Sequence, residues 1–365
     1  MEDSKEKTYQ AAVSIRGDSL YCPLPLSVDA YWNCEIDCVH CYLRRLNRTW
    51  GADLRPADPV AVFDKLKAGL NNPNPKTPLA HCLRNKTTIR FGNKTDPFQP
   101  AEKEHRVAGR LLNVFIRLKW SFVVQTKCTD LFLTYTKQIE RAASLGLITF
   151  MPVITPGLDR DWAEFEHGRT TAPSIRLVHA KILSDQGIPV GVNGEPFIPG
   201  YHTLLDFEET LVALRDAGIY RYNTYNLHLN DFNAKRLAEK GLDIERIYHY
   251  NQDKQWKVIL QSLIALAKKY EIGMGCPDFV NSGAYAEPAN TCCGVDVPCP
   301  ATFNTHFFKK YAQTGYHSQD ILKELWDGSG DYEKGKAIIT GAESEFFTLR
   351  DAETLPWDKN DLIPF

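Results

Sequence analysis

The chain has 365 residues, a formal net charge of −2, and 43% hydrophobic against 24% charged residues. This balance is ordinary for a globular protein and argues against a generally basic nucleic-acid binder, while leaving room for a local basic groove. Residues 1–10 are polar and charged, without the apolar core of a signal peptide, and no stretch approaches the ~18 apolar residues of a membrane span, so a cytoplasmic protein with no membrane attachment is expected.

Three regions are expected from the pattern of residues. Residues 1–16 read as a polar tail, 17–250 as the main domain, and 251–365 as a C-terminal extension. Ser19–Tyr31 is rich in strand formers, and further strands are predicted at Thr87–Phe91, Ser121–Gln125, Ile148–Ile154, Pro189–Phe197 and Ile219–Tyr225. Helices are predicted between them. Glu102–Leu118 carries Val107, Leu111, Val114 and Leu118 on one face, and Leu131–Leu145, Ala172–Gln186 and Thr203–Ala217 fit the same period. Gly146, Gly187 and Gly218 each stand where a helix should end in a left-handed residue.

Strands alternating with helices imply right-handed βαβ units around a parallel sheet. About six such units before residue 230 predict an α/β fold, a partial parallel (β/α)6 barrel with a C-terminal extension. Its chemistry would sit at the C-terminal ends of the strands. Beyond residue 230 the pattern changes to a long predicted helix, Asn251–Tyr270, and a Gly-, Pro- and Cys-rich loop over 275–305.

Ten cysteines are unusual for a reducing compartment unless some bind metal or do chemistry. Seven fall into two groups. The first is Cys34-Glu-Ile-Asp-Cys38-Val-His-Cys41. Closely spaced thiolates on a loop hold iron–sulfur clusters, and three of them can occupy three irons of a [4Fe–4S] cubane and leave the fourth iron open. An open iron can chelate S-adenosylmethionine, and one electron then breaks the sulfonium C–S bond. Zinc is the alternative; it needs a fourth ligand, and His40 is poorly placed to serve beside its neighbours.

Cys34, Cys38 and Cys41 resemble the signature of the radical S-adenosylmethionine superfamily, and their place after the first strand of the barrel matches as well. Four further segments are similar to the spore photoproduct lyase-related family in order and separation: 92–102, beginning Gly92-Asn-Lys-Thr-Asp-Pro, then Gln125–Cys128, Ala172–Leu177 and Gly191–Gly200. The resemblance covers roughly residues 20–230. It implies a partial barrel of the radical type, a [4Fe–4S] cluster and S-adenosylmethionine as cofactors, and a 5′-deoxyadenosyl radical that abstracts hydrogen. It further implies a flavodoxin- or ferredoxin-type electron donor and a thymine or modified thymine in DNA as substrate. By position it places Asn93, Thr95, Asp96 and Glu195 beside the cofactor, Lys127 against the cofactor's carboxylate, and His40 and Tyr42 beside its adenosine. A lysine there makes physical sense, because a partly buried carboxylate needs a charge partner.

One departure matters. In the repair lyases a cysteine that donates a hydrogen atom stands three residues before the Asp of the Asp-Pro pair, and here that position is Asn93. An amide cannot replace a thiol in this role, so base modification or rearrangement is expected rather than repair. Cys128 and Tyr42 are the catalytic candidates; Cys82 and Cys128 are the thiols that could substitute as donor, and each reads first as a buried structural thiol.

The second group is Cys276, Cys292, Cys293 and Cys299. It reads as an auxiliary metal site, a second iron–sulfur cluster or zinc, as a radical-quenching thiol, or as buried hydrophobes. With a second cluster, peptide modification becomes the alternative activity; a non-catalytic iron–sulfur or zinc protein that binds nucleic acid is the third reading. Arg44, Arg45 and Arg48 with Tyr42 and Trp50 could meet phosphates and a base, or form a solvated helix face. His167, Arg169 and Arg176 follow the fourth strand. The run Tyr220–His228 offers Asn223, Tyr225 and His228 as substrate contacts.

Overall fold

The computed structural model describes residues 9, 12–15, 24, 26–43, 54–75, 77–84, 86–160 and 162–275. In chain order the elements are β1 (Val13–Ile15), β2 (Leu26–Val28), α1 (Pro59–Leu70), α2 (Pro78–Arg84), β3 (Ile89–Phe91), α3 (Glu102–His105), α4 (Val107–Arg117), β4 (Phe122–Thr126), α5 (Thr129–Leu133), α6 (Thr136–Ser144) and β5 (Ile148–Pro152). There follow α7 (Trp162–Phe165), α8 (Pro173–Asp185), β6 (Val192–Asn193), α9 (Leu204–Asp216), β7 (Arg221–Asn223), α10 (Asp231–Glu239), α11 (Ile244–Tyr250), α12 (Asp253–Lys269) and β8 (Gly273–Gly275).

Strands β2 to β5 pair in parallel in sequence order, and β6 to β8 do the same. The two arrays meet through the parallel bridges Phe150–Val190 and Val153–Asn193. The result is an α/β partial barrel. Six of its parallel strands precede residue 230, as the sequence predicts, and β8 adds another.

The apolar runs explain the strands. Successive strand residues alternate between faces, and both faces of a barrel strand are covered. Phe91 meets Phe115 of α4 with ring centroids 5.3 Å apart, Phe150 stacks on Phe132 of α5 at 5.0 Å, and Tyr222 meets Phe207 of α9 at 5.6 Å. These rings take the outer face. Their neighbours Arg90, Thr149 and Asn223 therefore face the lumen, in register with Ser27, Val123 and Asn193.

Helix ends follow the predicted chemistry. Gly146, Gly187 and Gly218 have φ of +63°, +80° and +72° after α6, α8 and α9. Thr203 and Asp206 form a capping box on α9.

Several expectations are corrected. The predicted single helix Glu102–Leu118 breaks at Arg106, whose φ is +54°. The cause is Glu102, whose carboxylate turns back to accept the Ala108 and Gly109 N–H groups at 2.9 and 3.0 Å and so caps α4 from the preceding turn. The Tyr135 hydroxyl donates to the same carboxylate at 2.5 Å, and Tyr31 does so too. A Cβ at Gly109 would lie 2.1 Å from the Tyr135 ring. The predicted helix Leu131–Leu145 starts earlier, at Thr129, and divides into α5 and α6. The expected polar tail contributes strand β1, which pairs antiparallel with β2.

Helices α10 and α11 were not predicted. Helix α12 runs as predicted, and its Trp256, Leu260, Leu263 and Ala267 join the core that holds Phe207 and Leu211 of α9. With β8 it carries the barrel pattern past residue 250. Among the described residues, no helix is long and apolar enough to cross a membrane.

Candidate active site

The loop after β2 carries the first cysteine group, and three parts of the fold hold it from outside. Asp29, buried at the end of β2, accepts the N–H groups of Asn93, Lys94 and Thr95 at 3.1, 2.7 and 3.4 Å, tying this loop to the one after β3. Gln99 accepts the Glu35 N–H at 2.7 Å and donates to the Asn33 carbonyl at 2.8 Å. From α10, Arg236 donates to the carbonyls of Cys38 and Asp37 at 2.9 and 2.8 Å, and Asn233 donates to that of His40 at 3.1 Å. From the segment before α8, Arg169 donates to the Glu35 carbonyl at 2.6 Å, and the Val39 N–H donates to Phe165 at 2.9 Å.

Cys34, Cys38 and Cys41 are not joined in disulfides and are partly exposed. Burial pushes the Cys34 and Cys38 thiols up, Cys38 to about 12, and each charged neighbour in the group would raise the next. Ionising all three thiols would call for a positive centre to hold their charges. Among the described residues, no three His, Cys, Asp or Glu side chains converge as ligands of a single metal ion do. A cubane asks for a different arrangement, with each thiolate on its own iron. The donor set fits that: three soft sulfurs on one loop at the C-terminal mouth of the barrel.

Lys127 follows β4. Its Nζ lies 3.4 Å from Cys38 Sγ, 3.3 Å from His40 Nε2 and 2.7 Å from Glu166 Oε1. Glu166 is pinned in turn by Arg176 and by the Thr170 hydroxyl at 2.5 Å. Arg176 spends its remaining donors on the Thr171 and Val153 carbonyls, both at 2.6 Å. Burial opposes ionisation of Glu166, yet Arg176 and Lys127 hold its carboxyl well below the usual range. Burial likewise opposes the Lys127 charge, and Cys38 and Glu166 outweigh it, so the ammonium persists. Burial, aided by Lys127, keeps His40 neutral, and its Nδ1 is buried without a partner. His40 and Glu166 line a half-open cleft with Trp162, Phe165, Ile198 and His202.

No family model matches the chain, and no curated protein does. Among solved structures it is similar to spore photoproduct lyase complexed with dinucleoside spore photoproduct, with a TM-score of 0.51 and 12% identity over 74% of this chain and 79% of that one. The fold is that of spore photoproduct lyase. Similarity also extends to SuiB of Streptococcus suis, with TM-score 0.47 and 15% identity over 71% of this chain and 51% of that one. The radical S-adenosylmethionine methyltransferase TsrM of Kitasatospora setae, with cobalamin and a [4Fe–4S] cluster bound, gives TM-score 0.47 and 14% identity over 87% and 61%. The chain spans about half of SuiB.

On this lyase-like fold, the sequence candidates divide. Lys127, His40 and Cys38 come together, and Cys34 and Cys41 stand on the same loop as Cys38. Asp96 closes the site from behind, its carboxylate accepting the Thr126 hydroxyl, the Lys127 N–H and the Phe98 N–H at 2.7, 2.6 and 2.9 Å. Thr95 is buried, with its hydroxyl on the Tyr31 carbonyl at 3.0 Å. Asn93 is held through its backbone to Asp29. Cys128 is buried at the start of α5, where burial pushes its thiol well above the ordinary range, and its Sγ lies 3.9 Å from the Arg169 carbonyl. Cys82 is buried in the outer core.

A second group lies on the β7 side. Tyr42 stacks near His228, with centroids 4.6 Å apart, and Tyr225 lies 5.8 Å from the same imidazole. Asn223 in the lumen reaches Glu195 at 3.4 Å. Of the basic trio after the fourth strand, Arg169 and Arg176 brace the site as described, and His167 sits in a left-handed turn with φ +54°. Cys276, Cys292, Cys293, Cys299, Arg44, Arg45, Arg48 and Trp50 lie outside the described residues.

Sequence reasoning missed Asp29, Gln99, Glu166, Asn233 and Arg236. The Asn230-Asp-Phe-Asn233 capping box announces α10 and could have been read. Nothing local links Asn233 to a carbonyl 193 residues away.

Proposed function

We propose that this protein is a radical S-adenosylmethionine enzyme whose [4Fe–4S] cluster is held by Cys34, Cys38 and Cys41. The observation that supports the proposal is a loop at the C-terminal mouth of a partial barrel that carries three partly exposed cysteines, with Cys38 Sγ 3.4 Å from the Lys127 ammonium. Held by Cys34, Cys38 and Cys41, such a cluster would supply the electron for reductive cleavage of S-adenosylmethionine and so the radical chemistry of hydrogen abstraction from substrate.

The chain's own residues do the rest. Lys127 supplies a fixed positive charge suited to a ligand carboxylate, and Glu166 aims it. His40, neutral and with a free Nδ1, offers a hydrogen bond at the cleft wall. Asn93, Thr95, Asp96 and Glu195 are the further residues that would lie beside the cofactor. Cys128 keeps its proton because it is buried, and an intact S–H is what hydrogen-atom donation requires. Tyr42 offers a phenolic O–H nearer the aromatic group.

For the substrate we infer a nucleobase, a thymine or modified thymine in DNA. The aromatic group Tyr42, Tyr225 and His228 supports this, since bases stack on such faces. The lyase of the same fold is seen with a dinucleoside photoproduct. Asn93, in place of the donor thiol, favours modification or rearrangement over repair. The electron would come from a flavodoxin- or ferredoxin-type protein.

The test is anaerobic iron and sulfide analysis with a 5′-deoxyadenosine assay under dithionite and S-adenosylmethionine, on wild type and a Cys34/Cys38/Cys41→Ala variant. About four irons in the wild type, none in the variant, and variant-sensitive 5′-deoxyadenosine are expected. About eight irons falling to four would add a second cluster on Cys276, Cys292, Cys293 or Cys299. No iron, or no 5′-deoxyadenosine from a loaded cluster, overturns the proposal.

A further inference from the structure

The lumen of the barrel is unusually polar. A closed barrel of this type fills its axis with Val, Ile and Leu. Here Ser27, Arg90, Gln125, Thr149, Asn193 and Asn223 are all buried, and strand alternation turns them inward.

Arg90 stands out among them. It is 4% exposed, in the middle of β3, with its neighbours Ile89 and Phe91 in the outer core. Its Nε donates to Gln125 Oε1 at 2.7 Å. Among the described residues it has no ion pair; the other buried cations, Lys127 and Arg176, share Glu166. A buried guanidinium without a counter-charge is costly, and its planar fork matches a carboxylate or phosphate. The Gln125 contact fixes the inner edge of the guanidinium and leaves the terminal nitrogens, the fork itself, for something else. A second lumen group is also incomplete: Asn223 Nδ2 donates to Asn193 Oδ1 at 3.3 Å and to Glu195 Oε1 at 3.4 Å, while its own Oδ1 is buried with no partner.

We propose that the barrel lumen is an oxyanion site, in which Arg90, oriented by Gln125, binds a carboxylate or phosphate carried by the substrate. Asn223 Oδ1 accepts an N–H or O–H from the same molecule. The substrate is therefore an anionic molecule that also bears a hydrogen-bond donor. Its identity as the substrate of radical chemistry rests on the function proposed above; the anion site itself rests on the lumen geometry alone.

Thermal unfolding of the full chain, titrated with inorganic phosphate, acetate or chloride at constant ionic strength, tests this. Wild type is expected to show a saturable rise in Tm with phosphate or acetate and none with chloride. The better of the two anions tells whether the substrate offers a phosphate or a carboxylate. Arg90→Met should abolish the rise. Arg90→Lys should raise the half-saturating concentration at least about tenfold, since an ammonium cannot form the fork. If Arg90→Met fails to fold, the Arg90→Lys comparison decides. No saturable rise in wild type, or equal half-saturation for wild type and Arg90→Lys, overturns the site. Iron content on the same wild-type sample separates the two failures. Iron without an anion response overturns the lumen site alone. An anion response without iron overturns the radical chemistry alone.

Discussion

Lys127 Nζ sits 2.7 Å from Glu166 Oε1 while reaching to 3.4 Å from Cys38 Sγ, so a carboxylate buried behind the site sets the position of the charge at its front. The same carboxylate neutralises Arg176. One anion thus serves two buried cations, and Glu166→Ala strands both. Removing one partner of a buried ion pair costs about 3–5 kcal/mol. Urea unfolding of the variant should show a loss of that size, and a loss below ~1 kcal/mol would mean that the network is solvated and does not fix Lys127.

Arg236 should matter more to metal retention than to folding. It donates to two carbonyls of the cysteine loop from α10 and pairs with Asp37 at 2.9 Å. Arg236→Ala removes that brace while Gln99 and Arg169 still hold the other side. Iron release to a chelator is expected to speed several-fold, with a stability loss of only ~1–3 kcal/mol. Unchanged release kinetics would show that α10 is not what holds the loop.

Glu102 is a stability hub away from the thiols. Its carboxylate accepts from Tyr31, Tyr135 and two helix N–H groups. Each buried donor left unsatisfied costs roughly 1–3 kcal/mol, so Glu102→Ala should lose at least ~3 kcal/mol in denaturant unfolding. Glu102→Gln keeps one acceptor oxygen and should lose less. Equal losses for the two would show that volume, not hydrogen bonding, is what the site needs.

Acid sensitivity should reveal the cap of α9. Burial opposes ionisation of Asp206, but the Thr203 N–H and hydroxyl and the Arg160 guanidinium prevail and hold its carboxyl below the usual value. The folded state therefore keeps the charge to lower pH than the unfolded chain, in which Asp titrates near ~3.9. The stabilisation is complete above about pH 5 and fades as pH falls through the folded value. The stability difference between wild type and Asp206→Asn should be flat from neutral pH down to about pH 5 and shrink below it. A difference that grows on acidification would refute this account.

What could be read from the sequence was local. The C-x3-C-x2-C loop, the apolar strand runs and the glycines after α6, α8 and α9 all carry their signal within a few residues. The break at Arg106 does not: no glycine marks it, and its cause, Glu102 capping α4 together with Tyr31 and Tyr135, is assembled from distant segments. The same holds for Glu166, which has meaning only once Lys127 and Arg176 converge on it. Strand β8 was hidden because Gly273-Met-Gly275 has no strand propensity, and pairing with Arg221–Asn223 decides its state.

The junction of β5 and β6 is thinner than the ladder of β4 and β5 beside it. Between β4 and β5 the ladder runs over five residue pairs, from Phe122–Ile148 to Thr126–Pro152. Between β5 and β6 the backbone contacts are those of Phe150 with Pro189 and Gly191, and of Ile154 with Asn193. Parting the wall there breaks few hydrogen bonds, each worth about 1 kcal/mol net. Spreading that side, next to the cleft bounded by Phe165 and Ile198, costs less than parting β4 from β5. The give in this part of the wall therefore lies between β5 and β6 and not between β4 and β5.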